Sequence, residues 1–415
     1  YNKSYISQIQ HVRRRETIAM TPANCLVALQ KLLHISVKET PSTLEANKAS
    51  VLSSINTITG TNTRPLVGSS GLSIQYAIMM GLVDHAMEHH VGKAIKFVVP
   101  PNCYGGTNDQ ARRVAASIDC VEVVDLPVDG DNDMVQSIDA VLEQIAQQDA
   151  IAYIIAEIPT NPRVEVPDLE ALKKVLSITR KTSSGEKAIA PVFILDQTFC
   201  PNLHFLSDDA TLSGVKAIAY ASGSKFPSGG LCTAGYCIAN KKGDVFTSKI
   251  ALHLELCDNE ATNLQYEILA RQLPSMNQRI KDAYKNTREF VNFIEEVLPQ
   301  AKINFVSQVL AKQGFTPSVF SLDLPTKGNT AQEKETYKRG LNHKLIKAMI
   351  TQIPDQSKYC VSYGQLKGCY WTIPATSTQG TTKEGDKDYI ARVSVSPQMD
   401  LELHKKVFLD FVQCI

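Results

Sequence analysis

Between about Thr61 and Asn240, short apolar runs alternate with stretches whose apolar positions recur every three or four residues. The runs Ile151 to Ala156, Pro191 to Leu195 and Lys216 to Ala221 are largely apolar, with no polar alternation, as strands covered on both faces must be. The stretches between read as helices; one opens at Gly68-Ser-Ser-Gly-Leu-Ser73 and continues through Gln75, Ala77, Ile78 and Leu82. This alternation predicts an α/β fold with a mostly parallel sheet covered by helices. A long helical stretch through Leu264, Ile268, Leu269, Leu273 and past Met276 then carries the chain out of that domain. From about Val291 the pattern turns to alternating strands, Ser318 to Leu322 and Ala391 to Val395. A closing helix with Leu403, Val407, Phe408, Phe411 and Val412 on one face completes a smaller α+β C-terminal domain. The predicted organisation is an N-terminal segment (1–60), a large domain (61–290) and a C-terminal domain (291–415). Lys327 to Lys338 and Ser377 to Lys387, rich in Gly, Thr and charge, read as surface loops, and no internal repeat is visible.

Three of the predicted strands stop on polar residues: Glu157, Asp196 and Ser222. In an open parallel sheet a ligand lies at that carboxyl edge. Beyond Ser222, the stretch Tyr220-Ala-Ser-Gly-Ser-Lys-Phe-Pro-Ser-Gly-Gly230 delivers two hydroxyls and a lysine into a loop rich in Gly and Pro. A lysine that forms a Schiff base has to be mostly neutral, reachable and held against its electrophile. Small neighbours let a planar cofactor approach the backbone, and Ser222 and Ser224 flank a place for phosphate. Asp196 ends an apolar strand, where a carboxylate is costly unless paired; a protonated pyridine nitrogen is such a partner. The turn at Gly68–Ser73 offers backbone N–H groups and a helix start to an anion. Together these residues point to pyridoxal 5'-phosphate (PLP) as cofactor, bonded to Lys225.

Other constellations are weaker. His85, His89 and His90 put two imidazoles four residues apart, but no third ligand is evident and the motif is not His-Glu-x-x-His, so an ordinary polar helix face is the reading and no metal is expected. Ser222-Gly-Ser-Lys lacks the second glycine of a nucleophile elbow. With 43 basic against 42 acidic side chains in 415 residues, nothing points to nucleic acid or an acidic membrane as partner. Arg13-Arg14-Arg15 is the only dense basic run and reads as a solvated face. Ten cysteines without a Cys-x-x-Cys pair predict thiols in a reducing compartment, hence the cytoplasm. No apolar run approaches the roughly eighteen residues of a membrane span, and no signal peptide is visible.

The motifs, in order, resemble the Cys/Met-metabolism (transsulfuration) family of PLP enzymes, which contains cystathionine γ-synthase, cystathionine lyases and methionine γ-lyase. Ser70-Gly71-Leu72 is similar to that family's Ser-Gly-Met phosphate turn, and Tyr104-Gly-Gly-Thr107 matches its Tyr-Gly-Gly-Thr. Glu157-Ile-Pro-Thr-Asn161-Pro162 resembles Glu-Ser-Pro-Thr-Asn-Pro, Asp196-Gln-Thr198-Phe199 resembles Asp-Asn-Thr-Phe, and Ser222-Gly-Ser224-Lys225-Phe226 resembles Ser-Ala-Thr-Lys-Tyr. Ile390-Ala-Arg392-Val-Ser394 is similar to the segment whose arginine holds the substrate carboxylate. There are departures. Gly229-Gly-Leu-Cys232 stands where the family has Gly-His-Ser-Asp, and Gln197 where asparagine is common. Ser362-Tyr-Gly-Gln-Leu-Lys-Gly368 stands for Ser-Leu-Gly-Gly-Val-Glu-Ser, with Lys367 in place of a substrate-facing glutamate. The family's N-terminal Tyr-Ser-Arg, which reaches a neighbouring subunit's phosphate, has its nearest counterpart in Arg13–Arg15.

The resemblance implies PLP fold type I and a homo-oligomer, dimer or tetramer, acting on a small amino-acid substrate. It assigns Lys225 and Tyr104 to catalysis, with Tyr104 stacking on the cofactor ring. Ser70, Gly71, Leu72, Ser222 and Ser224 fall to the phosphate; Asp196 and Thr198 to the ring; Glu157 and Asn161 to the cofactor's surroundings; Ser362 and Arg392 to the substrate. Read without it, Tyr104 fits core packing, Arg392 a surface ion pair and Glu157 a satisfied buried carboxylate. The reaction implied is γ-elimination or γ-replacement on cystathionine or an O-activated homoserine. Lys367 favours a substrate with an anionic distal group. The alternatives are a PLP-dependent β-lyase or aminotransferase, or a non-catalytic binding protein.

Overall fold

The computed structural model describes residues 22–35, 43–128, 132–360, 365–374 and 389–415. Ser362, the basic run Arg13–Arg15 and the Ser377–Lys387 segment lie outside them. The chain divides into two compact units: one of residues up to Pro100, Gly106–Ala156 and Asp168–Pro274, the other of Pro101–Gly105, Glu157–Pro167 and Ser275–Ile415.

The first unit runs through α1 (Pro22–Leu32), α2 (Leu44–Thr59), β1 (Leu66–Gly68), α3 (Gly71–His89), β2 (Ile95–Val99), α4 (Gly105–Ser117), β3 (Val121–Asp125), α5 (Met134–Gln147) and β4 (Ile151–Glu157). It continues with α6 (Leu169–Ser177), β5 (Val192–Asp196), β6 (Lys216–Ser222), β7 (Gly235–Ala239), α7 (Thr247–Leu256) and α8 (Asn263–Gln272). The strands form one seven-stranded sheet in the order β1-β7-β6-β5-β4-β2-β3. Every residue of β4 and β5 is buried, which is why these strands read as apolar runs up to the acids that end them. The pairings β5/β6, β2/β3 and β2/β4 are parallel, whereas β7 runs antiparallel to both β6 and β1. Helix starts are fixed by side-chain caps: Ser70, Asp133 and Asp168 each accept the backbone N–H three residues on, worth about 1 kcal/mol apiece.

The second unit contains α9 (Met276–Val297), β8 (Lys302–Asn304), the short α10 (Gln308–Lys312), β9 (Val319–Asp323), α11 (Ala331–Gln352), β10 (Ser357–Tyr359), β11 (Gly368–Pro374), β12 (Tyr389–Ser394) and α12 (Leu401–Val412). Its five strands lie in the order β10-β11-β12-β9-β8, with β10/β11 parallel and the other pairs antiparallel. Phe290, Phe320, Leu345, Tyr370, Val393 and Phe408 join the helices to this sheet in one apolar cluster. Each such side chain contributes about 1.5–3 kcal/mol when fully buried.

Three expectations about elements need correction. The helical stretch after Asn263 is not continuous: α8 stops at Gln272, Leu273–Ser275 is a 3₁₀ turn, and α9 starts at Met276. Pro274 explains the break, since its ring lacks an N–H and clashes with the preceding turn. The switch to strands comes after α9, which runs on through Val291 to Val297. The predicted loop Lys327–Lys338 is helical from Ala331, nucleated by a capping box in which Thr330 and Glu333 satisfy each other's backbone amides.

Candidate active site

Within the first unit the sheet brings several candidate residues together. Strands β5 and β6 pair so that Asp196 lies opposite Tyr220. The Asp196 carboxylate turns back to accept the Thr198 N–H at 2.9 Å, and the Thr198 hydroxyl accepts the Ser222 N–H at 3.0 Å. Thr198 therefore links the strand-end acid to the start of the lysine loop. Ser222 and Ser224 hydroxyls meet at 2.8 Å. Lys225 follows in a tight turn anchored by fully buried Phe226, where the Ser228 N–H bonds to the Gly223 carbonyl at 2.9 Å and the Gly230 N–H to Lys225 at 3.2 Å. Gly229 and Gly230 occupy left-handed conformations, φ 63° and 81°, that suit residues without a Cβ.

The start of α3 lies against this loop. A Cβ on Gly71 would come within 3.2 Å of Ser222 Cα, and one on Gly235 within 2.4 Å of the Ser70 carbonyl oxygen, so glycine permits both approaches. Ser70 uses its hydroxyl as helix cap, accepting the Ser73 N–H at 3.0 Å. The amides of Gly71 and Leu72 belong to the first turn, which has no intrahelical partners for them and carries the positive end of the helix dipole.

Asp196 is the electrostatic centre of this arrangement. Burial pushes its carboxyl above the ordinary carboxylate value, while hydrogen bonds from Thr198 and Tyr220 and the charge of Lys225 pull the other way. The residues present fit PLP. A buried acid held by donors suits a protonated ring nitrogen, a lysine acts on the same acid, and a glycine-opened helix start beside two serine hydroxyls suits a phosphate. Cys232 follows in the same loop; burial raises its thiol, which disfavours a thiolate there.

The second unit holds the remaining described candidates. Glu157 Oε1 accepts the backbone N–H of Tyr104 at 2.6 Å, so the acid braces the Tyr104 turn. Arg392, on β12 in register with Ser321 of β9, is buried and donates from Nη1 to Asn161 Oδ1 at 3.3 Å. The Ser321 hydroxyl donates to the Pro162 carbonyl, fastening the Asn161 loop to the same sheet. The alternative reading of Arg392 as a surface ion pair is set aside by this burial. The Lys367 ammonium donates to the Pro354 carbonyl at 2.9 Å, a bond that ties together the chain on either side of β10.

One group of residues escaped the sequence reading as a functional unit. Tyr220, Gln75 and Thr107 come from β6, α3 and α4, and their side chains form a buried hydrogen-bonded cluster against Asp196. Their distance apart in sequence hides it. The histidines of α3 form no metal cluster: the His85 and His89 rings stack at 4.1 Å, and no group of three or more metal-ligating side chains occurs among the described residues. No helix among those residues is long and apolar enough to cross a membrane.

No protein-family model matches the chain. A cystathionine beta-lyase of Schizosaccharomyces pombe is 22% identical over 208 residues, 48% of this chain and 50% of that protein, so the match spans about half the length of the curated relative. Among solved structures, yeast cystathionine gamma-lyase superposes with a TM-score of 0.65 at 17% identity, covering 88% of this chain and 86% of that one. The methionine gamma lyase CalE6 of Micromonospora echinospora gives 0.62 at 18% identity, with the same coverage of both chains. The fold is that of the transsulfuration enzymes. Cystathionine gamma synthase of Xanthomonas oryzae shares it, with a TM-score of 0.62 at 16% identity over 88% of this chain and 85% of that one. The mostly parallel seven-stranded sheet and the smaller second sheet are accordingly those of PLP fold type I. The order of the six motifs agrees with this likeness, which is one of architecture.

Proposed function

We propose that the protein is a PLP-dependent enzyme of sulfur amino acids, catalysing γ-elimination or γ-replacement on cystathionine or an O-activated homoserine. The observation that carries this reading is the buried Asp196 at the end of β5, joined through Thr198 to the Ser222–Lys225 loop. Gly71, Leu72, Ser222 and Ser224 would hold the phosphate, Asp196 the ring nitrogen, and Lys225 the aldehyde carbon. Bound there, PLP supplies an electron sink for negative charge beside the substrate's amine-bearing carbon.

The chain's own residues do the rest. Lys225 Nζ would take the proton from Cα of the amino acid, give it back to the cofactor-bound substrate at another carbon and, neutral again, take one from Cβ, which lets a leaving group depart from Cγ. Asp196 keeps a positive charge on the ring nitrogen. Arg392 forks onto the substrate carboxylate, oriented by Asn161. Glu157 sets the backbone of Tyr104, whose ring covers the cofactor face. Family likeness supports a homo-oligomer, and ten cysteines without a Cys-x-x-Cys pair support a reducing compartment, the cytoplasm.

A second reading, β-elimination, draws support from the cystathionine beta-lyase relative. The bond from Lys367 to Pro354 also weakens the case for an anionic distal group on the substrate. Incubation with cystathionine and with O-succinylhomoserine, each with and without cysteine, separates the two. The γ-reading expects 2-oxobutanoate or a new thioether; pyruvate alone would assign β-elimination. A stable amino form of the cofactor would mean transamination, and no turnover of any amino acid would favour a binding protein.

A further inference from the structure

The cluster behind Asp196 contains more hydrogen-bonding capacity than a packing role requires. Tyr220, Gln75 and Thr107 are all buried, with relative exposures of 3%, 1% and 0%. Thr107 locks the Gln75 amide from both ends: its hydroxyl donates to Gln75 Oε1 at 2.9 Å, and its carbonyl accepts from Gln75 Nε2 at 3.3 Å. The amide cannot flip without losing both bonds. Its oxygen is therefore fixed 3.2 Å from the Tyr220 hydroxyl. On its other side Tyr220 meets Asp196, its register partner across the parallel β5/β6 pair.

Tyr220 has one hydroxyl hydrogen and two main acceptors for it, the Thr107 hydroxyl lying farther off at 3.5 Å. One is a neutral amide oxygen already bonded to Thr107. The other is a carboxylate, and hydrogen bonds to an ionised acceptor are roughly twice as strong as neutral ones. With Asp196 ionised, the hydrogen goes to Asp196. With Asp196 protonated, the hydrogen goes to Gln75 Oε1 and the phenolic oxygen accepts from the acid. Neither state leaves a buried hydroxyl without a partner, which would be costly.

We infer that Tyr220 is a positioning residue that donates to Asp196 and holds it as the anion facing the cofactor's ring nitrogen. The inference rests on the proposed cofactor site and adds a residue to it. Tyr220 and Lys225 are the titratable groups that act on Asp196; Gln75 of α3 and Thr107 of α4 face the cluster without titrating.

The test loads the full-length protein with PLP labelled with ¹⁵N in the ring and follows the ring-nitrogen resonance against pH. The wild-type protein is expected to keep the nitrogen protonated through neutral pH. Tyr220→Phe preserves the ring and removes the donor, so the Asp196 anion is destabilised and the nitrogen loses its proton at lower pH, by about one pH unit. Gln75→Met removes the competing acceptor while disturbing packing at least as much, and is expected to leave the midpoint at the wild-type value. An unchanged midpoint in Tyr220→Phe overturns the inference while leaving the cofactor site standing. An equal fall in both variants also overturns it, since general damage would then be the cause. Wild-type protein that takes up no labelled PLP would overturn the cofactor site, and this inference with it.

Discussion

Asp196 and Arg392 are the two residues whose chemistry is least replaceable. Each is a buried charge, and each has neighbours arranged to keep it so. Asp196→Asn keeps the shape but cannot stabilise a positive ring nitrogen, and removing one partner of a buried charge pair costs about 3–5 kcal/mol. Turnover is expected to fall by at least a hundredfold with the circular dichroism unchanged; activity within a few-fold of wild type would mean that another group serves the ring. Arg392→Lys keeps the charge but loses the planar fork. The KM for amino acids should rise by tenfold or more, with a smaller effect on kcat, and an unchanged KM would move the carboxylate site, with exposed Arg64 the next candidate.

At the scale of elements, the close approach of β7 to the start of α3 is a point of weakness. Gly235→Ala would force a methyl against the Ser70 carbonyl and push apart the strand and the helix start that frames the proposed phosphate site. Weakened PLP binding in equilibrium dialysis is the expected result, with loss greater than for Gly340→Ala, where a Cβ meets no atom within 4 Å. In the second unit, α12 carries a different liability. His404 is buried between Phe290 and Tyr370, donates from Nδ1 to the Asp400 carbonyl at 2.9 Å, and has no hydrogen-bond partner at Nε2. Burial is the main cause that lowers its pKa from 6.5, with the Asp400 carbonyl opposing. A depressed histidine leaves stability intact above the unfolded value and withdraws it as pH falls below, because the unfolded chain then binds a proton that the folded one refuses. Denaturant midpoints should therefore drop from about pH 6.5 downwards, and His404→Gln should flatten that part of the profile.

Across the whole molecule, the features that were legible in the sequence are those written in contiguous residues. Buried strands betray themselves as apolar runs, so the strand ends at Glu157, Asp196 and Ser222 could be located without coordinates. The break at Pro274 and the capping box Thr330–Glu333 were also written locally. The first was masked by apolar periodicity continuing on both sides, the second by the charged, threonine-rich composition around it. The Tyr220–Gln75–Thr107 cluster was illegible for a different reason. It exists only because the β5/β6 register and the placement of α3 and α4 bring three distant residues to one carboxylate.

A ligand that binds only the native state stabilises it, by about 2.7 kcal/mol at a hundred times its dissociation constant. Saturating PLP is thus expected to raise the thermal midpoint of the protein, and Gly235→Ala to reduce that rise. The most direct test, however, is covalent. Borohydride fixes the cofactor to whichever amine carries it, and proteolysis with mass spectrometry then finds the label. The account predicts a single phosphopyridoxyl group on Lys225, absent in Lys225→Ala; a label on any other lysine, or none at saturating PLP, would contradict it.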